Sequence, residues 1–294
     1  MRDVDQPRRP EIGDSQYRVQ FHLAQARAHR SRGEIELARA EYGQAIELES
    51  DLVEAYLGLS ELSLPGMGYL EWLARLHETI TPEHYLEIGI GRGHSLACAK
   101  PPTCVIAIDS APKLSVPLST ETHIYCETSD EFFVKKRLTR LLNGQPLRLA
   151  FIDGLHIFSQ ALKDFINIER FCGPRSLVLI HDTIPLDEVT QRPQRQRSFY
   201  TGDVWKLVLC LKHYRPEFDL FTIATPWSGL TVVSGLDCAS RVLSERYEEA
   251  MASFSVLPYS HIESDKQAKL NVVANDTSAV EARLKVRGLI GPPA

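Results

Sequence analysis

The sequence contains no long hydrophobic run and no excess of positive charge. No apolar stretch among its 294 residues approaches the length of about 18 residues expected of a membrane-spanning helix. The first ten residues lack the apolar segment of a secretory signal. The formal net charge is −5, which disfavours a nucleic-acid partner because such binding needs a basic face. We therefore expect a cytoplasmic protein that binds neither membranes nor nucleic acid.

Paired cysteine motifs are also absent. The six cysteines show no C-x-x-C spacing, and most lie in apolar runs: Cys98, Cys104, Cys126, Cys172, Cys210 and Cys238. This pattern predicts buried, reduced thiols rather than a disulfide framework or a zinc site. The length allows one large domain with an appendage.

The first 65 residues are patterned as helices behind a predicted disordered leader, residues 1–15. Between residues 19 and 62, alanines and apolar residues recur at spacings of three and four. The stretch 33–50 resembles the second half of a tetratricopeptide repeat, with small or aromatic residues at Gly33, Ala38, Tyr42 and Ala45. A free-standing solenoid normally needs about three repeats. We therefore favour a helical segment, residues 16–65, packed on the main domain or mediating homo-oligomer or partner contacts, over a peptide-binding module.

Strand-like and helix-like segments alternate after the Pro- and Gly-rich residues 64–68. This alternation predicts a parallel sheet with helices on both faces. The expected strands are 85–90, 104–109, 122–127, 147–152, 176–180, 218–224 and 230–233, the last two as an antiparallel pair. We place the main domain at residues 66–235 and assign residues 236–294 to a C-terminal helical extension and tail.

A glycine-rich turn follows the first predicted strand. Its glycines are Gly89, Gly91 and Gly93, and a helix of small residues is predicted at 94–100. Glycine lets the backbone approach a ligand closely, and a helix N-terminus offers free N–H groups to a polar or anionic end. A dinucleotide fingerprint would have its third glycine one residue later, where this chain has His94. The spacing therefore disfavours a nicotinamide-dependent oxidoreductase.

Acidic residues complete this first motif. Glu87 precedes the turn, and Asp109 ends the next predicted strand. The pattern E-x-G-x-G-x-G followed by a strand ending in Asp resembles motifs I and II of class I S-adenosylmethionine (SAM)-dependent methyltransferases, over about residues 69–235. The resemblance implies a Rossmann-like, seven-stranded methyltransferase sheet with SAM as cofactor. The cofactor-binding residues that it implies are Glu87, Gly89, Gly91, Gly93, Asp109, Ser110, Ser129, Asp130 and Asp153, with Asp109 on the ribose and Ser129 or Asp130 at the adenine.

A second motif pairs two strand ends. Phe151-Ile-Asp-Gly-Leu-His156 and Val178-Leu-Ile-His-Asp-Thr-Ile-Pro185 resemble the O-methyltransferases related to macrocin and catechol O-methyltransferases. That resemblance implies a divalent metal, usually magnesium, at Asp153, His181 and Asp182, with His156 and Asp153 as catalytic residues and His156 as general base. His181 stands where the family has a carboxylate, and magnesium binds imidazole poorly. Manganese, iron or a site without metal therefore stay open.

These motifs together predict a SAM-dependent methyltransferase acting on a hydroxyl of a small molecule, such as a sugar or secondary metabolite. The alternative is a non-catalytic cofactor-binding or scaffold protein that binds a protein partner through residues 16–65. Residues 185–203 lack apolar periodicity and follow the fifth strand. They are predicted to form either a lid over the acceptor pocket or an ordinary solvated loop.

Overall fold

The computed structural model describes residues 12–291, which divide into two units. The first unit is helical and contains α1 (Ile12–Ser31), α2 (Ile35–Leu48) and α3 (Val53–Ser63), together with residues 197–199. The predicted leader lies outside the described residues except where α1 begins, and so do residues 292–294 of the predicted tail.

The three helices of the first unit enclose a small core. Its buried members are Val19, Leu23, Ala26, Tyr42, Ala45 and Ala55. The α2 residues Ala38, Tyr42 and Ala45 recur at spacings of four and three, so they share one face of the helix. A Cβ added at Gly58 of α3 would lie 2.5 Å from Cε2 of Tyr42. The tyrosine ring therefore packs where α3 has no side chain.

The second unit comprises residues 64–196 and 200–291. Its strands are β1 (His84–Ile88), β2 (Cys104–Ile108), β3 (Thr122–Tyr125), β4 (Leu147–Ile152), β5 (Cys172–His181), β6 (Asp219–Ile223), β7 (Leu230–Ser234) and β8 (Val272–Val273). Its helices are α4 (Tyr69–Ile80), α5 (Ser129–Val134), α6 (Arg137–Leu141), α7 (Phe158–Glu169), α8 (Trp205–Tyr214), α9 (Val242–Glu245), α10 (Tyr247–Phe254), α11 (Ser260–Glu263), α12 (Lys266–Lys269) and α13 (Thr277–Val286). Within residues 12–291, no helix is long and apolar enough to span a membrane.

All eight strands form one sheet in the order β3-β2-β1-β4-β5-β7-β6-β8. Strands β1 to β5 run parallel, and β7 is antiparallel to both β5 and β6. Alternate residues of β1 point to opposite faces, so Leu86 joins one apolar cluster and Tyr85 the other. The predicted α/β class, the Rossmann-like sheet and the final antiparallel pair are confirmed. The two-residue β8 at the edge was not predicted, because so short a segment carries no periodicity.

Two helical predictions were wrong. Residues 94–100 form only a short 3₁₀ turn at Leu96–Cys98, because few residues remain before β2 and Pro101 and Pro102 interrupt any longer helix. Residues 129–142 are patterned in the sequence as one helix, but the chain is divided there at Lys136, whose φ of 51° lies in the left-handed region, into α5 and α6. Thr128 caps α5, since its Oγ1 accepts the N–H of Glu131 at 3.3 Å.

Candidate active site

The carboxyl ends of the parallel strands meet at one edge of the sheet. The glycine turn follows β1, Asp109 follows β2 and Asp153 follows β4, while His181 ends β5 and Asp182 comes next. Ligands of open parallel sheets bind at this edge. The sequence-predicted residues therefore converge on the place where a binding site is expected.

The glycine turn is pressed against the backbone after β4. Gly89, Gly91 and Gly93 all have positive φ, at 89°, 51° and 84°. A Cβ at Gly89 would lie 2.5 Å from the carbonyl carbon of Asp153 and 2.7 Å from Cα of Gly154. A Cβ at Gly91 would have no heavy atom within 4 Å. The first glycine therefore serves backbone packing, whereas the second leaves room beside the turn.

Asp109 holds this turn in place. Its Oδ2 accepts the N–H groups of Ile90 at 2.8 Å and Gly91 at 3.1 Å, and its Oδ1 accepts the N–H of Ala111 at 2.7 Å. A carboxylate offers about four acceptor positions, so one position on Oδ1 stays available for a ribose hydroxyl. Ser110, predicted to bind the cofactor beside it, is exposed.

Glu87 points into the protein rather than toward a ligand. Its carboxyl group is fully buried and accepts the hydroxyl of Tyr85 at 2.7 Å and the hydroxyl of Ser95 at 2.5 Å. Burial raises the pKa of Glu87 to about 8, although both hydrogen bonds oppose the shift. Glu87 therefore stabilises the turn, because its carboxyl group connects Tyr85 of β1 to Ser95 beyond the glycines.

The raised pKa of Glu87 predicts an unusual pH dependence of stability. Because the folded-state pKa of about 8 exceeds the ordinary 4.5, the folded chain holds an extra proton between these pH values. The stabilisation from that proton is complete below about pH 4.5 and is lost as the pH rises toward 8. Relative to Glu87→Gln, the wild-type protein should lose a few kcal/mol across this window, at roughly 1.4 kcal/mol per pH unit.

Urea unfolding of both proteins at a series of pH values checks this expectation. Glu78→Gln, which changes an exposed glutamate of α4, is the matched control and should follow the wild type. A difference between wild type and Glu87→Gln that stays constant with pH would contradict the raised pKa.

Four polar residues predicted from the second motif lie together beside the glycine turn. Oδ1 of Asp153 lies 3.2 Å from Nδ1 of His181 and 3.4 Å from Nε2 of His156. Oδ2 of Asp182 lies 2.9 Å from Nδ1 of His156. We call Asp153, His156, His181 and Asp182 the His–Asp cluster. It joins two strand ends that are distant in sequence.

The cluster places two carboxyl groups beside two imidazole rings, and the pKa values of three of these groups are shifted. Burial lowers the pKa of both histidines, but the nearby carboxylates of Asp182 and Asp153 outweigh it and raise the pKa of His156 well above its ordinary 6.5. The pKa of His181 is raised for the same reason. Burial acts to raise the pKa of Asp153, yet His181 and His156 lower it overall. The carboxylates therefore favour the protonated form of both rings.

The backbone of the cluster is held in an uncommon conformation. His156 and Asp182 have φ values of 56° and 58°, in the left-handed region that non-glycine residues rarely adopt. Packing holds His156 there, since a Cβ at Gly202 would lie 2.8 Å from the carbonyl carbon of His156. Asp203 also accepts the N–H of Phe158 at 2.7 Å. Such residues concentrate at functional sites, where the surrounding structure maintains the strain.

Residues that the sequence analysis gave no role also contact the cluster. Ser228 donates to Oδ1 of Asp182 at 2.5 Å and lies 3.4 Å from Nε2 of His181. The ring of Tyr69 lies 4.1 Å from the ring of His181, and Tyr200 stacks on His156 at 5.7 Å. Tyr200 lay in the predicted lid, whereas no signal indicated Ser228 or Tyr69.

Gln160 of α7 connects the predicted adenine residues to Asp164. Gln160 donates to Oγ of Ser129 and to Oδ1 of Asp130, both at 3.1 Å, and to Asp164 at 3.0 Å. Asp164 lines a pocket together with Asp153, His156 and His181, and burial raises its pKa to about 6. No role was predicted for Asp164.

The His–Asp cluster contains a set of metal-binding atoms. One donor atom from each of Asp153, His181 and Asp182 lies within 4.8 Å of the others. Two carboxylates and one imidazole fit Mn²⁺ or Fe²⁺ better than Mg²⁺, which prefers oxygen alone. These residues could therefore hold a divalent transition metal after small side-chain movements.

Residues 86–183 match the family model Methyltransf_24, described as a methyltransferase domain. The matched segment contains the glycine turn, Asp109 and the whole His–Asp cluster. This match identifies residues 86–183 as a methyltransferase domain. No curated protein matches the sequence.

Several solved structures are similar to the chain. The cofactor-bound Rv0187 from MTB is 18% identical and is matched over 64% of this chain and 93% of that one, with a TM-score of 0.43. A putative O-methyltransferase from Klebsiella pneumoniae is 15% identical over 62% and 88% of the two chains, with a TM-score of 0.40. The O-methyltransferase from Bacillus cereus in complex with SAH is 13% identical over 63% and 91%, with a TM-score of 0.41.

Proposed function

We propose that the chain transfers the methyl group of SAM to a hydroxyl oxygen of a small molecule. The observation that carries this proposal is the His–Asp cluster, a group able to accept a proton, placed directly beside the glycine turn. The sulfonium of SAM is itself a strong methyl donor. The protein has to align oxygen, methyl carbon and sulfur, and to remove the hydroxyl proton.

His156 is the proposed base. The new bond forms between the acceptor oxygen and the methyl carbon, the bond between that carbon and sulfur breaks, and the hydroxyl proton moves to the imidazole. The second product is S-adenosylhomocysteine. Because Asp153 and Asp182 favour the protonated ring, His156 has to lose its resting proton before it can accept one from the acceptor.

We infer that Asp153, His181 and Asp182 hold a divalent cation when one is present. Such a cation lowers the pKa of an acceptor hydroxyl bound to it. Both carboxylates already contact imidazoles, so the cation has to compete with the protons on these rings. Ser228 fixes the orientation of Asp182 and thereby limits how far this ligand can turn.

The acceptor is proposed to be a hydroxylated ring, from a sugar or a secondary metabolite. Trp227 is 43% exposed, and its ring lies 6.2 Å from that of Tyr69, which packs on His181. Aromatic surfaces of this kind bind flat apolar faces while nearby polar groups fix orientation. The aromatic residues therefore supply the contact area and the cluster supplies the polar contacts.

Calorimetric titration of the purified protein tests the proposal. We expect micromolar binding of SAM, together with binding of Mn²⁺ that is tighter than binding of Mg²⁺. Asp153→Ala should remove Mn²⁺ binding at this site, because it deletes a ligand and the carboxylate that lies beside Nδ1 of His181. Absence of SAM binding under all of these conditions would refute the enzyme proposal. Mn²⁺ binding unchanged in Asp153→Ala would refute the metal site alone.

A further inference from the structure

A second group of metal-binding side chains lies where strands of the sheet begin. Cys104 is the first residue of β2, Glu121 immediately precedes β3, and His123 lies within β3. One donor atom from each residue lies within 4.8 Å of the other two. Asp109 lies five residues beyond Cys104 along the chain, or about 16 Å at roughly 3.3 Å per residue. This group is therefore separate from the His–Asp cluster.

Strand register places these side chains on one face of the sheet. His123 pairs with Ile106 of β2, and side chains two residues apart on a strand share a face. Cys104 and Glu121 therefore lie on the same face as His123. His84 of β1 is the register partner of Cys104 and adds a buried imidazole to that face.

Two polar groups here are incompletely paired. His84 is 7% exposed. Among the described residues, its buried Nδ1 has no hydrogen-bond partner. Within residues 12–291, the only ion pair of Glu121 is with Nε2 of His123, at 3.2 Å. A buried unpaired imidazole nitrogen is unfavourable, and a bound ion with its water would give it a partner.

We propose that Cys104, Glu121 and His123 bind Zn²⁺, with water as the fourth ligand. A thiolate, an imidazole and a carboxylate are the ligand types that zinc takes in proteins, whereas Mg²⁺ and Ca²⁺ prefer oxygen alone. Zinc–ligand bonds of about 2.0–2.3 Å need donor atoms somewhat closer than 4.8 Å. The side chains of Glu121 and His123 are 73% and 40% exposed, so they can rotate inward.

The ion would stabilise one edge of the sheet. The four-residue β3 is the edge strand next to β2, and none of its residues is fully buried. A zinc ion bound to Cys104 on one side and to Glu121 and His123 on the other would cross-link β3 to β2. The cysteines were predicted to be buried, reduced thiols, but only Cys172 and Cys210 are buried. Cys104 is partly exposed, and its two neighbouring donor groups distinguish it from the other cysteines.

Cobalt absorption spectroscopy tests the proposal on the full chain under reducing conditions. Co²⁺ bound to a cysteine thiolate gives a near-ultraviolet charge-transfer band that a site without cysteine, such as the His–Asp cluster, cannot produce. We expect this band in the wild type and its disappearance on addition of Zn²⁺. Cys104→Ser should abolish the band, and His123→Ala should weaken Co²⁺ binding at least about 10-fold.

Two control variants separate this site from other thiols and from the candidate active site. Cys126→Ser removes an exposed thiol just after β3, and Asp153→Asn alters the His–Asp cluster. Both should keep the band and the Co²⁺ affinity measured from the band. The proposal is overturned if the wild type gives no band with excess Co²⁺, if the band persists in Cys104→Ser, or if titration of the band shows that His123→Ala binds Co²⁺ as tightly as the wild type. Zn²⁺ should also raise the unfolding temperature of the wild type more than that of Cys104→Ser.

Discussion

Gly89→Ala should abolish SAM binding and lower the free energy of unfolding by about 3 kcal/mol or more. The added Cβ would lie 2.5 Å from the carbonyl carbon of Asp153 and 2.7 Å from Cα of Gly154, with the carbonyl oxygen closer still. These are backbone atoms, so no side-chain rotation can relieve the overlap. The φ of 89° adds a conformational cost for any residue with a Cβ. The turn and the strand end carrying Asp153 would both have to move.

Gly144→Ala, in the turn before β4, is the matched control. Its φ is 79°, and an added Cβ would have no heavy atom within 4 Å. It should therefore cost only about 1–2 kcal/mol of conformational strain, and we expect SAM binding to persist because Gly144 is not among the candidate cofactor-binding residues. Urea unfolding and calorimetric titration with SAM measure both quantities. If Gly89→Ala binds SAM as the wild type does, the packing role assigned to Gly89 is wrong.

His156→Gln should lower kcat/KM for methyl transfer by about 10²–10⁴-fold, the usual contribution of a general base. SAM affinity should stay within about 3-fold, because the glycine turn and Asp109 are unchanged. The rate is measured with labelled SAM and the best acceptor from a panel of phenols, catechols and sugars. His261→Gln removes an exposed histidine of α11 and should leave the rate unchanged. Full activity in His156→Gln would show that His156 is not the general base.

The pH dependence of the rate gives a second test of His156. A base acts when deprotonated, so the rate should rise with pH through the pKa of His156, which the carboxylates of Asp182 and Asp153 place well above 6.5 despite burial. Asp182→Asn removes one of these negative charges and should shift that rise to lower pH. NMR titration of the imidazole protons checks the same pKa without an acceptor. Equal His156 pKa values in wild type and Asp182→Asn would contradict the proposed electrostatic coupling.

The sequence alone was sufficient for the fold class and for the edge of the sheet where the candidate site lies. Apolar runs of four to six residues alternating with helical patterns predicted the parallel strands. Glycine at 89, 91 and 93 predicted a turn, and all three residues have positive φ in it. Parallel strands carry their carboxyl ends to one edge, so Asp153 and His181 could be expected near each other although 28 residues separate them. These conclusions depend only on local backbone preference and side-chain periodicity.

Only the tertiary structure decided which atoms meet at that edge. Glu87 is directed inward to Tyr85 and Ser95, and the carboxylate of Asp109 holds backbone N–H groups of the turn. The approach of Ser228 to Asp182 depends on the pairing of β7 with β5, because Ser228 lies just before β7. The meeting of Cys104 with His123 depends in the same way on the register of β2 and β3. Periodicity in the sequence fixes the face of the strand or helix on which a side chain lies. The contact partner and the pKa of that side chain depend on strand register, rotamer and burial. These are set only when the strands and helices pack together.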